Sequence, residues 1–429
     1  MKHKILTLAL ILSIPFFITA CTASDLPVIG KYFGGGVVTK NPLTLNVWGL
    51  WEAKSVMDIM IQKYQETNLD VTINYDDRSV LDLVEYKERV FARAMEEGGP
   101  DIMRVHVSWV PRMISMGLLN PMPSSVMDMT HFQESFYPVA NDNLISDGKI
   151  YGLPIYYDGL VLVYNKAHFK EIGQTNPPTA WEEFRRLALE LTVRGENNQL
   201  VRAGAAIGAA DNIDFFSDIL GMLFSQAGIS IPSELDTKPA QDALTFYTNF
   251  VTEDQVWDKS MVEASTAFAQ EKVSMIFIPS WKLLDILSAR PDLDIGVAPV
   301  PQAVLENPAT WGSFWVDVVP KASKNVQESW DFINFFVQKD QQIMLFNEGS
   351  KVRAFGTPYS LKSLGLEVST NPYLKPLLDT AEYAKSFEMS AKSGNRRQVE
   401  VLRGVVNTVL GGSGTAERGL ELVKEEFSK

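Results

Sequence analysis

The sequence predicts an α/β fold of more than one globular unit, with mixed, mainly parallel sheets flanked by helices. Three observations carry this. Strand-like and helix-like hydrophobic periods alternate from residue 43 onward. The 429 residues exceed one ordinary domain of about 100 to 200 residues. At 46% hydrophobic residues, the chain has enough apolar mass to fill two or three cores.

The segment LTLNVWGL (43–50) reads as a strand, and Val56, Ile59, Met60 and Tyr64 then recur at helical spacing. VTINY (71–75) is a second strand. Val80, Leu83, Val84, Val90, Phe91 and Ala94 mark a second helix, halted by Gly98, Gly99 and Pro100 before a third strand at 101–105. Strands alternating with helices in this way predict βαβ units, whose ligands sit beyond the carboxyl ends of the strands. The loops that follow Val47, Tyr75 and Val105 carry Trp51 and Glu52, Asp76 and Asp77, and His106, Ser108 and Trp109.

A second unit follows the extended run YGLPIYYDGLVLVYNK (151–166). Thr179 is placed to cap a helix whose one side carries Trp181, Phe184, Leu187, Ala188 and Leu191. VSMIFIP (273–279) reads as a buried strand with Ser280 capping the next helix. LDIGVAPVP (293–301) is a strand ending in prolines.

The balance of 39 Lys and Arg against 52 Asp and Glu gives a net charge of −13, with no basic run to grip phosphates, which argues against nucleic acid as a partner. The N-terminus has a basic start at Lys2 and Lys4 and an apolar stretch from Ile5 to Ile18. That stretch is short for a membrane span and has the length of a signal peptide. Ile18, Thr19 and Ala20 before Cys21, the only cysteine, resemble the lipobox of bacterial lipoproteins. That resemblance implies a signal peptide over 1–20, lipidation of Cys21, and a flexible tether over 21–40 with Gly34, Gly35 and Gly36.

From about residue 41 to the end, several segments occur in a familiar order. They are GGPDIM (98–103), GKIYGLPIYYDGLVLVYNKAHF (148–169), PPTAWEEF, FAQEKVSMIFIPSW (268–281), GVAPVPQ (296–302), WGSFWVDVVPKASKNVQESWDFINFF (311–336) and GGSGTAERGLELVKEEF (411–427). Together they resemble the extracellular solute-binding proteins of ABC importers, in the family 1 sugar-binding branch that includes maltose-binding protein. The resemblance implies a two-lobe periplasmic-binding-protein-like fold with a multi-strand hinge. Lobe I would comprise 41–157 and 316–350, and lobe II 158–315 and 351–429. Hinge segments are expected at the strand through Tyr156–Gly159, at Trp311–Val316 and in the stretch near Gly349–Phe355. The resemblance further implies an exported, membrane-anchored monomer that closes on a carbohydrate, an oligosaccharide in particular, and presents it to the permease subunits. No cofactor is expected, and the scattered histidines with the sole cysteine in the lipobox argue against a transition-metal site.

A sugar offers apolar ring faces and a polar rim, so its site needs aromatic planes and hydrogen-bonding side chains. Trp51, Trp109, Trp281 and Trp311 lie in predicted loops or at element ends, whereas Trp48, Trp181, Trp257, Trp315 and Trp330 read as core. By resemblance Trp281 is the stacking tryptophan and Asp158 the hinge carboxylate, with Glu52 a sugar-contacting acid after the first strand. Asp76 and His106 complete the polar set. Arg353, in SKVRAFGTP, follows Val352 where the family often has Gly and Pro, a departure from its pattern.

The same fold serves other solutes, so a polyamine, a metal chelate or a phosphodiester is the main alternative. A glycoside-active enzyme would need two carboxylates set across one cleft; Glu52 and Asp158 could in principle converge, but nothing in the sequence places them so. His3, His106, His131 and His168 are scattered, and no metalloprotease, nucleophile-elbow or phosphate-loop motif is present.

Overall fold

The computed structural model describes residues 43–304 and 306–428. The signal segment, Cys21 and the tether to residue 40 lie outside them. No helix among the described residues is long and apolar enough to cross a membrane.

In chain order the strands are β1 (Leu43–Gly49), β2 (Val71–Asp77), β3 (Ile102–His106), β4 (Ile145–Ser146), β5 (Lys149–Ile150), β6 (Leu153–Pro154) and β7 (Leu160–Asn165). They continue with β8 (Val193–Arg194), β9 (Leu200–Ala205), β10 (Val273–Pro279), β11 (Ile295–Ala298), β12 (Thr310–Trp311), β13 (Trp315–Val318) and β14 (Ala384–Lys385). Two five-stranded sheets organise them, in the orders β2-β1-β3-β13-β6 and β11-β7-β10-β9-β8. Helices connect the strands, as the alternating periods predict.

The expectation of mainly parallel sheets needs correction. β1 runs parallel to β3 and β10 to β9. β13, however, is antiparallel to β3 and β6, β7 is antiparallel to β10 and β11, and β8 to β9. The physical reason lies in the connections. A parallel pair needs a crossover helix, whereas β13 and β7 enter their sheets directly from extended segments. Periodicity reads each strand but not its direction.

Local chemistry accounts for the elements. β1 alternates, with Leu45, Val47 and Gly49 buried. β3, β7 and β10 are buried at every position, as strands covered on both faces must be. Asp82 caps the helix Leu83–Arg93 by accepting from the Val84 and Glu85 amides. Two predicted caps are corrected. The helix Trp181–Leu191 begins after Ala180 with no side-chain cap, and Glu183 instead accepts from the Thr179 amide at 3.1 Å. Ser280 is the first residue of the helix Ser280–Ala289 rather than its cap, and the capping group comes from Asp158.

Two extended segments join the sheets and lie side by side. Gly159 bridges to Gly312, and the Ser313 amide donates to the Asp158 carbonyl at 2.9 Å. A third contact pairs Tyr156 with Tyr359. Gly159 is required there, since a Cβ would stand 2.4 Å from the Trp311 carbonyl oxygen.

Candidate functional site

The loop after β1 carries Trp51, whose φ of +58° is rare for a residue with a bulky side chain. Its amide donates to Ser79 Oγ in the loop after β2, and the Arg78 amide donates to the Gly49 carbonyl, so the two loops are tied together. Trp51 is 44% exposed, and its ring stands edge-on to Trp315. Beside it, Glu52 approaches Arg104 Nη1 at 3.8 Å. Arg104 forms a bidentate pair with Asp317, its register partner across β3 and β13, at 2.8 and 3.0 Å. Burial works against the guanidinium charge, but Asp317, with Tyr75 and Glu52, outweighs it and holds the pKa well above the ordinary value. Arg104 Nη1 itself makes no hydrogen bond.

On the second sheet, β10 ends at Pro279 and delivers Trp281 to the first turn of the helix Ser280–Ala289. Trp281 is 41% exposed and stands edge-on to Phe215. Nearby, Lys392 pairs with Asp214 at 3.0 Å. Asp214 interacts with Glu263, whose pKa is raised by burial and then by that neighbouring acid. Each sheet thus carries one exposed indole, Trp51 with Glu52 next to it in the chain and Trp281 against Phe215, which directly follows Asp214.

The remaining sequence-predicted residues are placed as follows. Asp158 is 3% exposed, and its carboxylate is committed to Gly159, Ser280 and Trp281. Burial raises its pKa to about 6, against the lowering effect of those bonds. It therefore does not offer itself to a ligand hydroxyl, a correction to its expected role. His106 is buried and stays neutral, its pKa driven down to about 3 by burial and then by Lys87. The Ser108 amide donates to Nδ1, which leaves the ring proton on Nε2, 3.1 Å from Ser313 Oγ. Asp76 pairs with Arg78, whose guanidinium lies 4.5 Å over the Trp48 ring. Arg353 donates to Thr357 Oγ1, and its Nε has no hydrogen-bond partner.

Trp109 and Trp311 are fully buried and are corrected from site to core. Trp109 Nε1 donates to the Ser393 carbonyl at 2.8 Å, and Trp311 Nε1 to Ser390 Oγ at 2.9 Å. A segment near the C-terminus covers both rings. Trp315, read as core, is largely buried yet supports the exposed ring of Trp51; only its position just after a crossing segment could have signalled this. A shallow surface groove of about 630 Å³, lined by Lys54, Gln62 and Tyr75 among others, has no convergent aromatic rings. Among the described residues no cluster of three or more His, Cys, Asp or Glu could hold a metal ion.

Two mixed sheets joined by paired crossing segments define a two-lobe receptor fold of the periplasmic binding-protein type. A solved cyclic α-maltosyl-1,6-maltose binding protein from Arthrobacter globiformis superposes with a TM-score of 0.70 at 20% identity, over 90% of this chain and 97% of that one. The family model for bacterial extracellular solute-binding proteins matches residues 60–358, and the chain belongs to that family. A putative binding protein of Brucella abortus (strain 2308) is 25% identical over 245 residues, 56% of this chain and 59% of that protein. A maltooligosaccharide ABC transporter solute-binding lipoprotein of Streptococcus pneumoniae (strain TIGR4) is 24% identical over 265 residues, 57% and 59% of the two chains. The chain thus matches these relatives over less than two thirds of their length.

Proposed function

We propose that this protein is the extracytoplasmic solute receptor of an ABC importer and that its ligand is a carbohydrate, an oligosaccharide in particular. The observation that carries the reading is the contrast among tryptophans. Trp51 and Trp281 are exposed, one on each sheet's side, while Trp109, Trp257, Trp311 and Trp330 are fully buried. An exposed indole beside carboxylates is what a pyranose ring needs, with its apolar face stacked and its hydroxyls bonded to acids. The strained φ of Trp51 agrees, since such backbone is retained where a side chain must point in one direction. The maltooligosaccharide specificity named for the pneumococcal relative supports the same class.

In this reading lobe I comprises 41–157 and 316–350, and lobe II comprises 158–315 and 351–429. The ligand sits between Trp51 with Glu52 and Trp281, and hinge closure presents it to the permease. The chain is exported, anchored through a lipid on Cys21, monomeric, and binds its solute without chemical change. Cys21→Ser should then abolish detergent-phase partitioning and leave affinity unchanged.

A thermal-shift screen of the purified protein against maltooligosaccharides, monosaccharides, polyamines and phosphodiesters tests the ligand class. A ligand at about 100 times its Kd adds roughly 2.7 kcal/mol of stability. A response to maltooligosaccharides is expected; a response to polyamines alone would replace the carbohydrate reading.

A further inference from the structure

The Asp158 carboxylate spends both oxygens inside the protein. Oδ1 accepts from the Gly159 amide at 2.7 Å and the Ser280 amide at 2.9 Å. Oδ2 accepts from Ser280 Oγ at 2.9 Å and the Trp281 amide at 3.2 Å. Its main-chain carbonyl meanwhile accepts from Ser313 on the returning crossing segment. One residue thus joins the two crossing segments to the first turn of the helix that displays Trp281.

We propose that Asp158 is a positioning residue for ligand binding: its ionised carboxylate fixes the first turn of the helix Ser280–Ala289, and thereby the indole of Trp281, against the crossing segments. This rests on the reading of Trp281 as ligand-facing. The physical basis is a helix start whose amide hydrogens have no partner within the helix and whose dipole favours an anion. Bonds to a charged acceptor are about twice as strong as neutral ones. Ser280 is wholly buried, so its amide has no water to replace the carboxylate, whereas the indole of the next residue, Trp281, is 41% exposed.

Protonation breaks the arrangement, because a carboxyl hydrogen turns one acceptor into a donor that faces other donors. The groups facing Asp158 are Tyr156 and Tyr157 on its own segment, Ser280 and Trp281 on the helix, and Ser313 on the return segment. Both tyrosines are pushed upward by burial and stay neutral, and His106 beyond Ser313 does not titrate above about pH 3. Asp158 is therefore the group that changes charge near pH 6. Its folded pKa is raised from 3.8, so proton uptake favours the folded state, and this group's contribution to stability grows as pH falls through about 6. Ligand geometry and stability should move in opposite directions over that window.

The test is ¹⁹F NMR of the full chain labelled with fluorotryptophan, with the Trp281 resonance assigned by its absence in Trp281→Phe. In the wild type that resonance should shift between about pH 7 and about pH 5 with a midpoint near 6. In Asp158→Asn it should be displaced at every pH and should not titrate. Ser280→Ala, which removes only the hydroxyl donor, should keep the titration. With maltotriose as probe near pH 7.5, Asp158→Asn should weaken binding about tenfold, with its denaturant midpoint no lower than that of the wild type. A Trp281 resonance that ignores both pH and Asp158→Asn would overturn the proposal. If maltotriose does not bind the wild type, the maltooligosaccharide expectation fails, and the ligand-free titration still decides the role of Asp158. If Asp158→Asn does not fold, the wild-type and Ser280→Ala titrations decide it.

Discussion

Trp51 meets Trp315 edge-to-face, with ring centroids 4.7 Å apart and planes at 78°. Trp315 is in turn edge-on to both His106 and Trp109 at 5.3 Å, so the exposed ring rests on a buried aromatic cluster. Such pairs are worth about 0.5 to 1.5 kcal/mol beyond area burial. Trp315→Ala should therefore reduce stability by about 3 to 5 kcal/mol and weaken ligand binding as well, because Trp51 loses its support. Trp51→Ala should weaken binding with little change in stability. Denaturant unfolding and affinity measured on both variants check the pair, and equal loss of stability in the two would contradict it.

Asp317 and Glu52 both approach Arg104, but only Asp317 hydrogen-bonds it. Asp317→Ala leaves a buried guanidinium without its bidentate partner and should cost about 3 to 5 kcal/mol in urea unfolding. Glu52→Gln should cost far less, because Glu52 lies at 3.8 Å, beyond hydrogen-bond length. Its expected effect is on affinity.

Asp218, fully buried, accepts from the Ala391 amide at 2.6 Å, yet burial pushes its pKa up to about 8. Because the folded value lies above the unfolded 3.8, stability contributed by this group falls as pH rises from about 4 to about 8 and is level above that. Asparagine can still accept from Ala391 without carrying charge. Asp218→Asn should therefore gain on the wild type by at least about 1 kcal/mol between pH 5 and pH 8. Urea midpoints at the two pH values measure this, and a constant difference would refute it.

Gly221 packs flat under Trp311, and a Cβ there would stand 2.6 Å from the ring. Gly221→Ala should destabilise by about 1 to 3 kcal/mol. Gly404, exposed in the helix Arg396–Leu410 with open space around its Cα, should respond to Ala with a gain of about 0.5 to 1 kcal/mol. Thermal melts of the two variants should move in opposite directions.

What the sequence made legible was local. The alternation of periods located β1, β2, β3, β7 and β10, and position in loops or at element ends picked out the exposed Trp51 and Trp281, though together with the buried Trp109 and Trp311. What it hid was the work of distant partners. Trp109 and Trp311 sit at element ends as expected, but Ser393 and Ser390, far along the chain, close over them. Asp158 has the composition of a ligand acid, but Ser280 and Trp281 claim it, and no spacing rule relates residues so far apart. Strand direction was likewise set by which segments cross between the sheets.

The central claim is that Trp51 and Trp281 face one ligand from opposite sides. Calorimetric titration of the wild type, Trp51→Ala and Trp281→Ala with maltotriose tests it most directly. Loss of a stacked indole is worth on the order of 2 to 3 kcal/mol, so each variant should bind roughly 30-fold to more than 100-fold more weakly while unfolding at nearly the wild-type midpoint. Wild-type affinity in both variants would contradict the account.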